Sequence, residues 1–182
     1  MSKIGIRKVF FGTWTADDTY TGGKQMSTVA GFNGTPNNSD VSDYGDDRAV
    51  ETDKSISSIG LSIEYNELTL EEKAAMFGHT VDSQTNEMVV SSNDAAPYIG
   101  IGAIGVSLRN GVKKYVVKFY HKAQFSEPND ENATKAESTT FGHETAEGTA
   151  IPQENGKIKT VAEFDTEAEA VTKMKALLGI TP

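Results

Sequence analysis

The stretch from Tyr98 to Phe125 constrains this chain more than any other: YIGIGAIGVSLR, then Asn110-Gly111, then VKKYVVKFYHKAQF. Two strand-like runs flank a dipeptide that tolerates positive φ at both central positions of a type I′ turn, whose twist matches that of a β-hairpin. Such a turn pairs Arg109 with Val112, and strict alternation of side chains sets the rest of the register. One face then collects Leu108, Val106, Ile104, Gly102, Tyr115, Val117 and Phe119 and is predicted to be core, with the Phe119 ring covering the bare backbone of Gly102. His121 falls on the same side, opposite Gly100. The other face sets Ser107, Gly105, Ala103, Ile101 and Ile99 against Lys114, Val116, Lys118, Tyr120 and Lys122, a mixed surface expected to be partly solvated.

Gly100, Gly102 and Gly105 spell G-x-G-x-x-G. In a dinucleotide-binding fold these glycines turn tightly under a pyrophosphate, which requires a helix starting within the motif and an acid about 20 residues on. Here Val106 to Arg109 continues as strand and Phe125 stands where the acid belongs. The glycines therefore read as part of a twisted strand, and no cofactor is expected.

A chain of 182 residues with 37% hydrophobic content can bury a core of its own as a single domain spanning 1–182. It has no cysteine, which excludes disulfides, thiolate catalysis and Cys-ligated metal. A net charge of −9 argues against binding a nucleic-acid backbone, an affinity supplied by Lys and Arg displacing counterions, and suits repelling one. No apolar run approaches the ~18 residues of a membrane span, and MSKIGIRKVFFG lacks the apolar centre and cleavage site of a signal peptide. A soluble product with no membrane partner is the expectation.

In chain order, Ile4 to Trp14 reads as a strand, Thr13 to Gly23 as a polar loop and Met26 to Phe32 as a short strand. From Asn33 to Lys54 the composition turns polar and acidic, and a long loop at about 33–54 is predicted, ordered only by a partner. Ser55 to Leu68 resumes as strand with Ile59, Leu61, Ile63 and Tyr65 at period two. Thr69 and Glu72 make a capping box for a short helix with Leu70, Ala74 and Phe77 on its buried face, stopped by Gly78. Glu87 to Ser91, Thr134 to Phe141 and His143 to Ile151 read as strands. Asn155-Gly156 is a second turn, leading into a strand from Lys157 to Phe164 with Ile158, Val161 and Phe164 available for burial. A last helix from about Thr166 to Leu178 has Glu169 completing its capping box and Val171, Met174, Leu177 and Leu178 as its stripe. The fold class is mainly β with two short helices (α+β), an antiparallel β-sandwich or open barrel.

Motifs for chemistry are sparse. His79, His121 and His143 lie in different elements without metal-ligand spacing, and read as ordinary strand or loop residues. Asp40, Asp43, Asp46 and Asp47 do not match a calcium loop and read as a solvated acidic run. No serine sits in G-x-S-x-G, and no metal or catalytic site is expected. Long polar loops and a half-apolar hairpin face leave surface that one domain cannot bury, as in an assembling structural subunit. A recognition module for carbohydrate or a host protein is the alternative, although Trp14, Tyr20, Tyr44 and Tyr98 are dispersed along the chain.

The order of segments resembles the major tail proteins of long, non-contractile-tailed phages of Gram-positive bacteria. The resemblance rests on GLSIEYNELTLEEKAAMFGH (Gly60 to His79), DAAPYIGIGAIG before the hairpin turn, KFYHKAQFSEP, and FDTEAEAVTKMKALLG (Phe164 to Gly179), and covers about Asp46 onward. It implies a tail tube subunit of the virion, made in the host cytoplasm, with no enzymatic activity. In that family six copies join sheets edge to edge into a ring, and rings stack around a tape-measure protein, with a tail terminator among the partners. DNA passes through the lumen without specific binding. The candidate assembly contacts are then Asp43, Tyr44, Asp46 and Asp47 in the polar loop and the row Lys114, Lys118 and Lys122 on the second hairpin face.

Overall fold

The structure is a computed structural model that describes residues 2–45, 48–82, 84–129 and 143–180. Along the chain come β1 (Ser2–Ala16), β2 (Thr19–Gln25), β3 (Val29–Gly45), β4 (Arg48–Tyr65), α1 (Leu70–Phe77), β5 (Thr80–Asp82), β6 (Glu87–Val89), β7 (Ile99–Arg109), β8 (Val112–Phe125), β9 (Glu144–Ala150), β10 (Lys159–Phe164) and α2 (Glu167–Leu177). The Asn110-Gly111 hairpin forms as predicted, with both residues at positive φ (51° and 79°) and Arg109 opposite Val112. Gly102 pairs with Phe119, and a Cβ on Gly102 would come within 2.8 Å of the Phe119 ring and 2.7 Å of Met174 Sδ. The three glycines of G-x-G-x-x-G all lie within strand β7, where Gly100 and Gly102 admit rings and a methionine against bare backbone.

The register holds from the turn to Ile101 and Tyr120, then slips by one residue so that Ile99 faces Ala123. This bulge in β8 turns Ala123 and Phe125 into the same core as Tyr120. It also removes Lys122 from the predicted lysine row.

Both faces of β7 and β8 are covered, so the second face is not the partly solvated surface expected. The predicted core face packs Ile104, Val117 and Phe119 with Phe10 and Tyr20 under Ala170, Met174 and Leu178 of the α2 segment. The other face carries Ile99, Ile101, Ala103 and Tyr120 into a larger core with Val9 and Phe11 of β1, Ile59, Leu61, Ile63 and Tyr65 of β4, and Met76 and Phe77 of α1. β1 supplies both cores from adjacent positions, which is why its sequence reads Val-Phe-Phe without alternation.

One antiparallel sheet runs β2-β1-β7-β8-β9-β4-β3, with β10 also paired to β8. Its two end strands, β2 and β3, are consecutive in the chain and joined by residues 26–28, where Met26 N donates to Val9 O at 2.9 Å and Asn66 N donates to Thr28 O at 3.1 Å, extending the β1–β2 and β3–β4 ladders into the connection. The result is a mainly antiparallel β fold with two helices in an open, sandwich-like arrangement. Both capping boxes form as predicted, Thr69 with Glu72 and Thr166 with Glu169. In α1 the buried face is Glu72, Met76 and Phe77, whereas the expected Leu70 is 39% exposed.

Other expectations are corrected. The predicted loop at 33–54 is the greater part of a hairpin whose pairing runs from Val29↔Tyr65 to Gly45↔Arg48. Low apolar content does not preclude a ribbon, since an antiparallel ladder satisfies its own backbone groups. Pro36 is tolerated because β3 is an edge strand. The predicted loop at 13–23 is instead the end of β1 and most of β2, joined by Asp17-Asp18 with Asp18 at φ 56°. In β10 the inward residues are Thr160, Ala162 and Phe164, and Val161 is 54% exposed. The predicted strand at 134–141 lies outside the described residues.

Two stability predictions follow from close packing and capping. Gly102→Val should cost about 1–3 kcal/mol by overpacking against Phe119 and Met174. Gly105→Ala, whose Cβ would find only Gly5 O at 3.6 Å, should stay within about 0.5 kcal/mol; urea unfolding of the pair checks the contrast. Glu72 accepts from Ser27 N (2.9 Å), Ser27 Oγ (2.8 Å), Thr69 N (2.9 Å) and Thr69 Oγ1 (3.1 Å). Burial raises its pKa, but these donors prevail and hold the carboxyl below its usual range. Glu72→Ala removes both the cap and the tie to Ser27, an expected loss of about 2–3 kcal/mol in the same measurement.

Candidate functional site

The outer part of the β3–β4 hairpin runs beyond the strands that flank its base. β4 pairs with β9 only from Ile59 to Tyr65. Beyond that, Asn37 to Gly45 pair with Ser58 to Arg48. At ~3.4 Å per residue this ribbon extends about 30 Å past the last β9 pair. Residues 33–39 and 55–57 are exposed, and Ile56 is 48% accessible. Asp43 and Tyr44 are in β3 near its end, while Asp46 and Asp47 lie outside the described residues. A two-stranded ribbon of this kind is marginal by itself.

The lysine row does not survive as one surface. Lys114 pairs with Asp165 beside the start of α2, and Lys118 lies between Ala103 of β7 and Val161 of β10 in the sheet. Lys122, displaced by the bulge, places its ammonium 4.1 Å from the Trp14 ring centre and 4.7 Å from that of Tyr98. Those two rings meet edge to face at 6.1 Å, so the structure brings together two aromatics that are dispersed in sequence. Among the described residues the candidate contacts thus divide between the end of the β3–β4 hairpin and separate points along β8.

Two histidines carry more than their sequence context suggests. His121 is buried, with Nδ1 3.0 Å from Asp18 Oδ1 and Nε2 2.7 Å from Thr160 Oγ1. Burial pushes its pKa down, partly offset by Asp18, so the imidazole is neutral at pH 7, donates from Nδ1 to Asp18 and accepts at Nε2 from Thr160. Tyr20 donates to the His121 carbonyl at 3.0 Å. Gln153, with its amide oriented to satisfy both ends, accepts from Trp14 Nε1 (3.1 Å) and Asp18 N (3.0 Å) and donates to Asp18 Oδ1 (3.2 Å). A hydrogen bond from Lys157 (2.6 Å) outweighs partial burial and holds Asp18 below the usual carboxylate range. Carboxylate, imidazole and hydroxyl in this order can activate a hydroxyl. Here the members come from the β1–β2 turn, β8 and β10, and the cluster clasps those elements.

His79, after α1, stands in an open cleft of about 640 Å³ lined among others by Phe77, Asp94, Tyr98, Glu127 and Glu147. Its Nδ1 is 2.9 Å from Asp94 Oδ2 and its Nε2 3.0 Å from Glu127 Oε2. His143 is exposed just before β9. The residues surrounding the first two histidines have no signal in the sequence, because Tyr20 and His121 are 101 positions apart and His79 and Glu127 are 48 apart.

Among the described residues no group of three or more His, Asp or Glu side chains is arranged to hold a metal ion, and no helix is long and apolar enough to cross a membrane. A scan of protein-family models finds none that matches the chain, and a search of curated proteins finds no match either.

The His121 clasp predicts a pH dependence. A histidine whose folded pKa is depressed contributes fully above its unfolded value of 6.5, and loses that contribution as pH falls through the folded pKa, because the unfolded chain takes up the proton first. His121→Gln keeps hydrogen-bonding capacity and removes the titration. Between about pH 7 and pH 5, above the carboxylate range, wild type should lose more of its own stability than the variant does. Urea midpoints with equal pH slopes would show that His121 is not responsible.

Proposed function

We propose that this chain is a structural subunit of a phage tail tube, assembling as stacked, hexameric rings around a tape-measure protein to form a channel for DNA. The observation that carries the reading is the β3–β4 ribbon, which extends past the last β9 pair with exposed side chains at 37–39 and 55–57. Such an element gains stability by meeting a neighbouring copy, and a ring and stack of copies supplies neighbours at fixed positions. The net charge of −9 fits a channel that repels phosphates so that DNA slides without sticking. Closing sheets into a ring would also cover the free edges at β2 and β3. The resemblance of the Gly60–His79, hairpin and terminal-helix segments to major tail proteins agrees with it.

A second reading, a monomeric recognition module, draws support from the Trp14 and Tyr98 pair next to the cleft. The purified protein separates the two. Electron microscopy should show six-fold rings or hollow tubes, and a variant with the ribbon between Asn38 and Ser55 replaced by a short Asn-Gly turn should remain folded by circular dichroism yet give only small particles. Monodisperse single particles from wild type at high concentration would reject the tube and favour the module.

A further inference from the structure

The two ends of the β7–β8 hairpin differ in charge. Its closed end carries Arg109, Lys113 and Lys114 around the Asn110-Gly111 turn. Arg109 pairs with Glu163 and Lys114 with Asp165, whereas Lys113 is exposed and enters no ion pair among the described residues. The neighbouring ladders stop short of this tip, since the last described pair of β1 is Ser2↔Leu108 and that of β10 is Phe164↔Tyr115. Val112, in the pair next to the turn, is 56% exposed.

At the open end of the same hairpin lies the cleft of about 640 Å³, with Tyr98 just before β7 and Phe125 at the end of β8 among its walls. Clefts of this size can enclose a ligand or an inserted segment. Its carboxylates are Asp94, Glu127 and Glu147, and no Lys or Arg is among its described lining residues. Lys122 lies over the Tyr98 ring outside that lining. A cationic His79 would offset one of the three negative charges, so the cleft is acidic in either state of that ring. Glu127 and Glu147 are exposed, and Val90 beside them in the lining is 55% exposed.

We propose that this cleft receives the β7–β8 hairpin tip of a second copy of the chain, with Val112 against Val90 and Lys113 against Glu127 and Glu147. This deepens the assembly proposed above, on which it rests, by naming a contact between copies. A chain of net charge −9 repels its own copies, so they meet only where local charges are opposite. Tip and cleft are such a pair, and each offers an exposed valine that contact removes from water. They stand at opposite ends of one strand pair, about 35 Å apart by strand rise. No chain can therefore fill its own cleft, and a copy displaced by that length along the strands brings tip to cleft. The contact is heterologous: each pairing leaves one tip and one cleft unused, so it propagates from copy to copy.

A carbodiimide, which joins an amine and a carboxylate in contact as an amide, tests the seating on the wild-type chain. Mass spectrometry of the linked peptides should find Lys113 joined to Glu127 or Glu147, a link that the separation within one chain makes intermolecular. By sedimentation, Lys113→Glu and Glu147→Lys should each weaken self-association about tenfold, the scale of one close interfacial charge pair. The double variant exchanges the two signs and should recover it. Both positions are exposed, and circular dichroism checks that every variant folds. Rings or tubes that lack the link and are indifferent to Lys113→Glu would overturn the seating, leave the tube reading standing, and leave the cleft to a basic segment of a different protein. Failure of the double variant to recover association would also overturn the seating. Linked rows of copies without six-fold rings would support the seating and overturn the tube, and single particles without self-association would overturn both.

Discussion

The whole architecture depends on one strand pair being buried from both sides. β7 and β8 form the floor of two cores, one under α2 and one closed by β1, β4 and α1. An antiparallel hairpin usually gives one face to solvent; burying both requires side chains small enough for two layers to approach. Gly100 and Gly102 meet that requirement on the α2 side, where Tyr20, Phe119 and Met174 occupy the space a Cβ would take. The glycines that superficially spell a nucleotide loop are there because packing on two faces leaves no room for anything else.

The bulge near Gly100 is the second consequence of that constraint. Up to Tyr120 the strand β8 divides its side chains between the cores by alternation. Past the bulge Ala123 and Phe125 continue into the larger core, while His121 remains on the α2 side and Lys122 reaches the Trp14 and Tyr98 rings. One extra residue thus lets a single strand feed the core, a buried polar clasp and a cation–π contact within four positions.

How legible these features are in sequence follows from the range of the interaction behind them. The Asn110-Gly111 turn, its register, both capping boxes and the period-two run of β4 are set within a few residues, and each appears where the local pattern puts it. Burial of the second hairpin face is not local, because Lys114 and Lys118 on that face signal solvent while Ile99 and Ile101 a few residues along it signal core. The Asp17-Asp18 turn lacks a glycine, and the β3–β4 ribbon lacks an apolar face, so each reads as loop when it is strand. The histidine clusters are least legible of all. Tyr20 meets His121, and Asp18 meets Lys157 at a separation of 139 residues, only after the sheet has closed.

The body and the ribbon obey different physics. Inside the body, both ring nitrogens of His79 and of His121 meet a polar partner, since an unanswered buried group would cost about 1–3 kcal/mol, and the apolar strands are pinned in register by two cores. The outer ribbon has neither constraint: its backbone bonds are internal to one pair of strands, and its described side chains near the base face water. Its ladder runs from Asn37↔Ser58 to Gly45↔Arg48 with two register shifts, and a two-stranded ribbon is marginal by itself. Contact with a second surface would hold such a ribbon more firmly than its own pairing does, which is consistent with the proposed assembling subunit.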